Sequence, residues 1–93
     1  MNIWDMKTNS NFVLRTIIGQ NVLVAEGVNA VNMSSIIHLN DSAAYLWTSV
    51  QGKEFTVETL RDLLLERYEV DEATAAADAA KVAQTWEEYK LLQ

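Results

Sequence analysis

The sequence predicts an α+β fold in which a three-stranded antiparallel sheet is followed by three helices. Three observations point that way. Residues 12–39 are dense in β-branched side chains and carry no helical period. At Asn40 the spacing of apolar residues becomes helical. Polar residues suited to helix capping, Asn40 or Asp41, then Thr56, then Asp71, stand ahead of three such stretches.

Taken in order, Phe12 to Ile18 reads as the first strand, Gly19-Gln20-Asn21 as a tight turn, and Val22 to Ala25 as the hairpin partner. Glu26 to Asn32, with Gly27 and two asparagines, is polar enough for a connecting loop, and Met33 to Leu39 forms a third extended run. The first helix is expected near 41–51, with Ala43, Leu46, Trp47 and Val50 at helical spacing and Gly52 ending it. The second is expected over 56–68, where Val57, Leu60, Leu63, Leu64 and Tyr68 make one apolar stripe. The third, expected over 72–91, places Ala79, Val82, Ala83, Trp86 and Tyr89 along one side. Seven alanines between Ala73 and Ala83 serve helix propensity, leave a shallow groove beside the helix, or do both. Residues 1–11 are set apart as an N-terminal tail to a single domain over 12–92, since 93 residues allow one hydrophobic core. The arrangement as a whole is winged helix-turn-helix-like.

Composition excludes much chemistry. The chain has no cysteine and one histidine, His38, which removes thiolate chemistry and the usual zinc ligand sets. Its three glycines are scattered, so no phosphate-cradling loop is assembled. Adjacent carboxylates, Glu87 with Glu88 or Asp71 with Glu72, point in different directions on a helix and make no acid/base pair. The expectation is a binding domain with no catalytic residue, cofactor or metal. No run of residues is long and apolar enough for a bilayer span, and no signal peptide opens the chain, so a cytoplasmic protein without a membrane partner is expected.

Charge is concentrated in the helical half. Residues 1–40 balance Lys7 and Arg15 against Asp5 and Glu26, whereas residues 41–93 carry five basic and eleven acidic side chains and so supply the whole net charge of −6. Such a surface repels polyanions, so nucleic acid is a poor partner. Trp47 and Trp86, at helical spacing, are expected in the core. His38 is expected to face solvent, because Ile37 and Leu39 hold the opposite, core-facing phase of a strand.

The run Ile37-His38-Leu39-Asn40-Asp41-Ser42-Ala43-Ala44-Tyr45-Leu46-Trp47 resembles the "hydrophobic, x, Leu-Asn-x-x-Ala/Gly-x-x-Ile/Leu-Trp" signature of the PqqD family. Thr56-Val57-Glu58-Thr59-Leu60 is similar to its "T-V-E-E-L/I" helix start, and Leu64 to Asp71 to its "L-x-x-x-Y-x-V-D" segment. Asp78 matches a recurrent Asp on the last helix. The resemblance covers roughly Phe12 to Leu92. It implies a recognition element for ribosomally made, post-translationally modified peptides, whose precursor leader adds as a strand beside the third strand and packs into the cleft against the third helix. The bound peptide would be presented to a radical S-adenosylmethionine enzyme or another modifying enzyme.

With the free edge expected of a third strand, the resemblance selects Ser34, Ser35, Ile36, Ile37, His38, Asp78, Lys81, Val82 and Thr85 as peptide-binding residues. Asp78 and Lys81, at i and i+3, could instead pair with each other. Two features depart from members that serve pyrroloquinoline quinone synthesis. The link Glu26 to Asn32 has no proline, and Val82 and Ala83 stand where the family tends to be bulkier, which suggests a different precursor peptide and a wider cleft. Two alternative functions fit the fold, a DNA-binding regulator and a structural homo-oligomer, the simplest case a homodimer, built through the strand edge. The acidic helices argue against the first; the second uses the same hydrogen-bonding groups as a peptide.

Overall fold

The computed structural model describes residues 5–25 and 36–93. Along the chain come β1 (Phe12–Ile17), β2 (Gln20–Ala25), β3 (Ile36–Leu39), α1 (Asp41–Val50), α2 (Val57–Arg67) and α3 (Glu72–Glu88). The strands form one antiparallel sheet in the order β1-β2-β3. This is the α+β, winged-helix-like arrangement read from the sequence. The stretch expected as a loop, 26–32, and the start of the third strand, 33–35, lie outside the described residues.

Register decides which side chains meet the helices. Leu14, Leu23 and Ile37 stand opposite one another across the sheet. Leu23 is fully buried, and Phe12, Leu14, Ile37 and Leu39 pack against the same core. The opposite phase of the pleat carries exposed Arg15, Ile36 and His38.

The hairpin turn falls one residue earlier than the sequence suggested. Its central residues are Ile18 and Gly19, at φ 50° and 74°, while Gln20 and Asn21 already belong to β2. Two consecutive left-handed residues make a type I′ turn, whose twist matches that of the flanking strands. A β-branched residue is poorly suited to that conformation, which is why the sequence pointed to Gly19 as the turn's start. Ile18 is 96% exposed, so no packing compensates its strain.

Each helix begins on a side-chain cap. Asn40 Oδ1 accepts from the Ala43 amide at 2.8 Å. Thr56 and Thr59 form a reciprocal capping box. Asp71 Oδ1 accepts from the Thr74 amide at 2.7 Å, and this bond, with a second to the Thr74 side chain, holds its carboxyl below the usual carboxylate range. Asn21 Nδ2 donates to Asp41 Oδ1 at 2.9 Å, tying β2 to the start of α1.

Helix α3 stops at Glu88, three residues short of the expected end. Lys90 turns left-handed at φ 60°, the Leu91 amide bonds back to the Trp86 carbonyl and the Lys90 amide to that of Glu87. This is a Schellman motif with lysine where glycine is usual, so the sequence lacked the ordinary stop signal. It turns Leu91 into the core beside Trp86. Residues set apart as a tail are tied to the domain as far as they are described: Met6 bridges Phe55, Thr8 bridges Leu92, and the Asn9 amide bonds to the Leu91 carbonyl.

The core is centred on two tryptophans. Trp47 of α1 and Trp86 of α3 are 0% and 1% exposed and meet edge to face at 5.2 Å, with Phe55 against Trp86 at 6.1 Å. Ala75, Ala79 and Ala83 are buried where α3 packs along α2. Small side chains there let two helices approach closely, so these three alanines serve packing on α2, and they line neither hollow beside β3.

Relief of the turn strain should be measurable. Ile18→Asn, which tolerates the left-handed region, is expected to raise stability by about 0.5–1 kcal/mol in urea unfolding. A loss of stability would show that the isoleucine side chain contributes to the fold.

Candidate functional site

A cleft opens between β3 and α3. Its deeper part, about 600 Å³, has Leu46, Leu64 and Trp86 in its walls, with Leu39, Tyr68, Val70 and Val82 nearer the mouth. A second hollow of about 420 Å³ continues it along β3, lined by Ile36, Ile37, Tyr89 and Leu91. The two share His38, Leu39, Thr85 and Trp86, so they form one groove running the length of the strand. Three of the exposed large apolar side chains, Ile36, Val70 and Tyr89, lie along it.

Local structure holds the walls in place. The α2 end of the groove is fixed by Tyr45, whose hydroxyl donates to the Leu63 carbonyl at 3.2 Å and whose ring meets Tyr68 edge to face at 6.3 Å. The Arg67 guanidinium lies 4.6 Å from the Tyr45 ring centroid, a cation–π contact that pins the last turn of α2. Tyr68 ends that helix in an extended conformation, and Val70 follows it into the groove before Asp71 caps α3.

Hydrogen-bonding groups on β3 follow from the turn. In a two-residue hairpin the flanking pair, here Ile17 and Gln20, exchanges hydrogen bonds, and bonded pairs then alternate along the ladder. Gln20, Val22 and Val24 therefore direct their amides and carbonyls to β1, while Asn21 and Leu23 direct theirs to β3. Their partners are Leu39 and Ile37. The alternation leaves the amides and carbonyls of Ile36 and His38 pointing away from β2, along an edge that no other strand pairs among the described residues.

The charges at the groove are few. Asp78 and Lys81 stand at the mouth of its deeper part, both exposed, and no ion pair within 4.0 Å joins them, so the surface pairing considered from the sequence is not made. Among the described residues no cluster of three metal-ligating side chains occurs, and no helix is long and apolar enough to cross a membrane.

The family model described as "Coenzyme PQQ synthesis protein D (PqqD)" matches residues 10–92. The chain belongs to the PqqD family. A solved structure, "TbiB1 in Complex with the TbiA(beta) Leader Peptide", superposes with a TM-score of 0.72 over 95% of both chains at 21% identity, a likeness of fold. No curated protein matches the sequence.

The PqqD motifs have plain structural jobs. In the first, Leu39 packs on the core, Asn40 caps α1, and Ala43, Leu46 and Trp47 are buried. In the third, Leu64 is core, Tyr68 and Val70 line the groove, and Asp71 is a cap. Of the residues selected from the sequence, Ile36, Ile37, His38, Asp78, Lys81, Val82 and Thr85 surround the groove, while Ser34 and Ser35 lie outside the described residues. Sequence reasoning did not assign Leu46, Leu64, Tyr68, Val70, Trp86 and Tyr89 to the groove. Leu46, Leu64, Tyr68 and Trp86 had been read as core or apolar-stripe residues, Tyr89 stood on the same α3 stripe and Val70 had been noted only within the PqqD-like segment; the groove is cut into that same core.

Amide hydrogen exchange on the free protein checks the edge assignment. Ile37 and Leu39 should be protected, and Ile36 and His38 should exchange rapidly. The reverse pattern, or uniform protection along β3, would contradict the alternation.

Proposed function

We propose that this PqqD-family chain is a non-catalytic adaptor that binds the leader segment of a ribosomally made precursor peptide. The leader adds as a strand to β3 and sets apolar side chains into the groove against α3. A modifying enzyme, such as a radical S-adenosylmethionine protein, then receives it.

The observation that carries the proposal is the coincidence of a free strand edge with a continuous apolar groove along it. Backbone groups of Ile36 and His38 supply sequence-independent hydrogen bonds, each worth about 0.5–1.5 kcal/mol net. The groove supplies selectivity, since apolar side chains on one face of an extended peptide would enter it at alternate positions. Family membership and the fold shared with a leader-peptide complex support the same function. The acidic surface of α2, with Glu58, Asp62 and Glu66, disfavours a DNA-binding role for the winged-helix framework.

Val82 is the residue to test. It is half-buried at the groove wall, so Val82→Glu would set a carboxylate where an apolar side chain should sit. With leader peptide from a precursor gene adjacent to this one, calorimetry should show affinity reduced at least about tenfold, a loss of about 1.4 kcal/mol. Ala80→Glu, on an exposed face of α3, should bind as the wild type does. Thermal unfolding of both variants separates lost binding from lost fold. Unchanged affinity in a folded Val82→Glu variant would overturn the proposal.

A further inference from the structure

We infer that Asp78 and Lys81 read the order of charges on the bound peptide and thereby fix its register and direction. The inference rests on the groove proposed above. Main-chain pairing to an edge strand is insensitive to sequence, and a slip by two residues returns the same face of the peptide to the groove. Apolar anchors resist such a slip only as far as their sizes differ. Main-chain groups also accept a strand running either way, with a modest preference between the two. A pair of opposite charges at fixed positions breaks both degeneracies, because the wrong order sets like charges together.

The placement of the two residues suits that task. Both line the mouth of the deeper part of the groove, at the end away from Tyr89. They are one helical turn apart, about 4.5 Å along the axis, and an extended peptide repeats a face every two residues, about 6.6–6.8 Å, so one charged side chain can meet each. They are not joined to each other within 4.0 Å, and neither is engaged by another side chain among the described residues. They are also the carboxylate and the ammonium lining that part of the groove, whose other titratable side chains are His38 and Tyr68. The favoured peptide therefore carries a cation facing Asp78 and a carboxylate facing Lys81, next to the apolar side chain that enters the groove.

Selection from a library of random decapeptides tests this without knowledge of the natural ligand. The library is panned in parallel on the full wild-type chain and on the double variant Asp78→Lys with Lys81→Asp, which keeps net charge. Peptides enriched on the wild type should share an apolar anchor with a fixed order of one base and one acid beside it. Those enriched on the double variant should keep the anchor and reverse the order. Synthetic versions should show about tenfold discrimination between the two orders, inverted between the two proteins. Two-dimensional amide spectra establish that the double variant is folded. Anchors recovered without charge order, or an order that does not invert, would overturn the inference and leave the groove intact. Enriched peptides that shift amides away from β3 and α3, or a library that yields no binder, would overturn the groove as well.

Discussion

The edge-to-face contact of Trp47 with Trp86 joins the first helix to the third, and the rest of the architecture is arranged around it. Trp47 is completely buried, and its Nε1 meets no acceptor among the described residues. Leaving that donor unmade costs about 1–3 kcal/mol, less than the ~3–5 kcal/mol lost when a buried tryptophan is truncated. Trp86 is in turn held by Phe55, by Leu91 delivered through the Schellman turn, and by the buried alanines of its own helix, which let α3 lie close on α2. Because one indole reaches both the core and the groove, the position of α3 relative to β3 is set by core packing.

The groove is thus a by-product of a rigid core and an unfinished sheet. Among the described residues the three-stranded sheet leaves one edge of β3 unpaired, and α3 stands far enough away to leave room for side chains between them. The edge offers hydrogen bonds and the space offers apolar walls. An extended chain satisfies both at once, while a helix or a small ligand would satisfy only the second. Of the exposed large apolar side chains among the described residues, Ile36, Val70 and Tyr89 lie on this track, while Ile17 and Ile18 stand at the hairpin turn.

Where the sequence was legible, a local rule and the tertiary structure agreed. Asn40, Thr56 and Asp71 cap helices as their side-chain chemistry requires, and the alternation of Ile37, His38 and Leu39 was enough to put His38 outside. The misplacements all come from residues in backbone states they rarely adopt. Ile18 occupies the left-handed turn position and shifted the hairpin by a residue, and Lys90 ends α3 where a glycine would have been expected. The α3 alanines were ambiguous because helix propensity and a groove beside the helix both favour small residues, and only the neighbour, α2, shows that Ala75, Ala79 and Ala83 serve close packing. The α3 residues that line the groove, Asp78, Lys81, Val82 and Thr85, were legible through family resemblance and periodicity together. Tyr68 was read as part of the α2 stripe and Val70 only as part of the PqqD-like segment, since nothing in their spacing says that the chain turns into the groove there.

The central claim is that a peptide completes the sheet at β3, and hydrogen exchange in the complex tests it most directly. On saturation with leader peptide, the Ile36 and His38 amides should pass from rapid exchange to protection, while those of Ile37 and Leu39 change little. If peptide binds and the Ile36 and His38 amides stay unprotected, strand addition is not the mode of recognition.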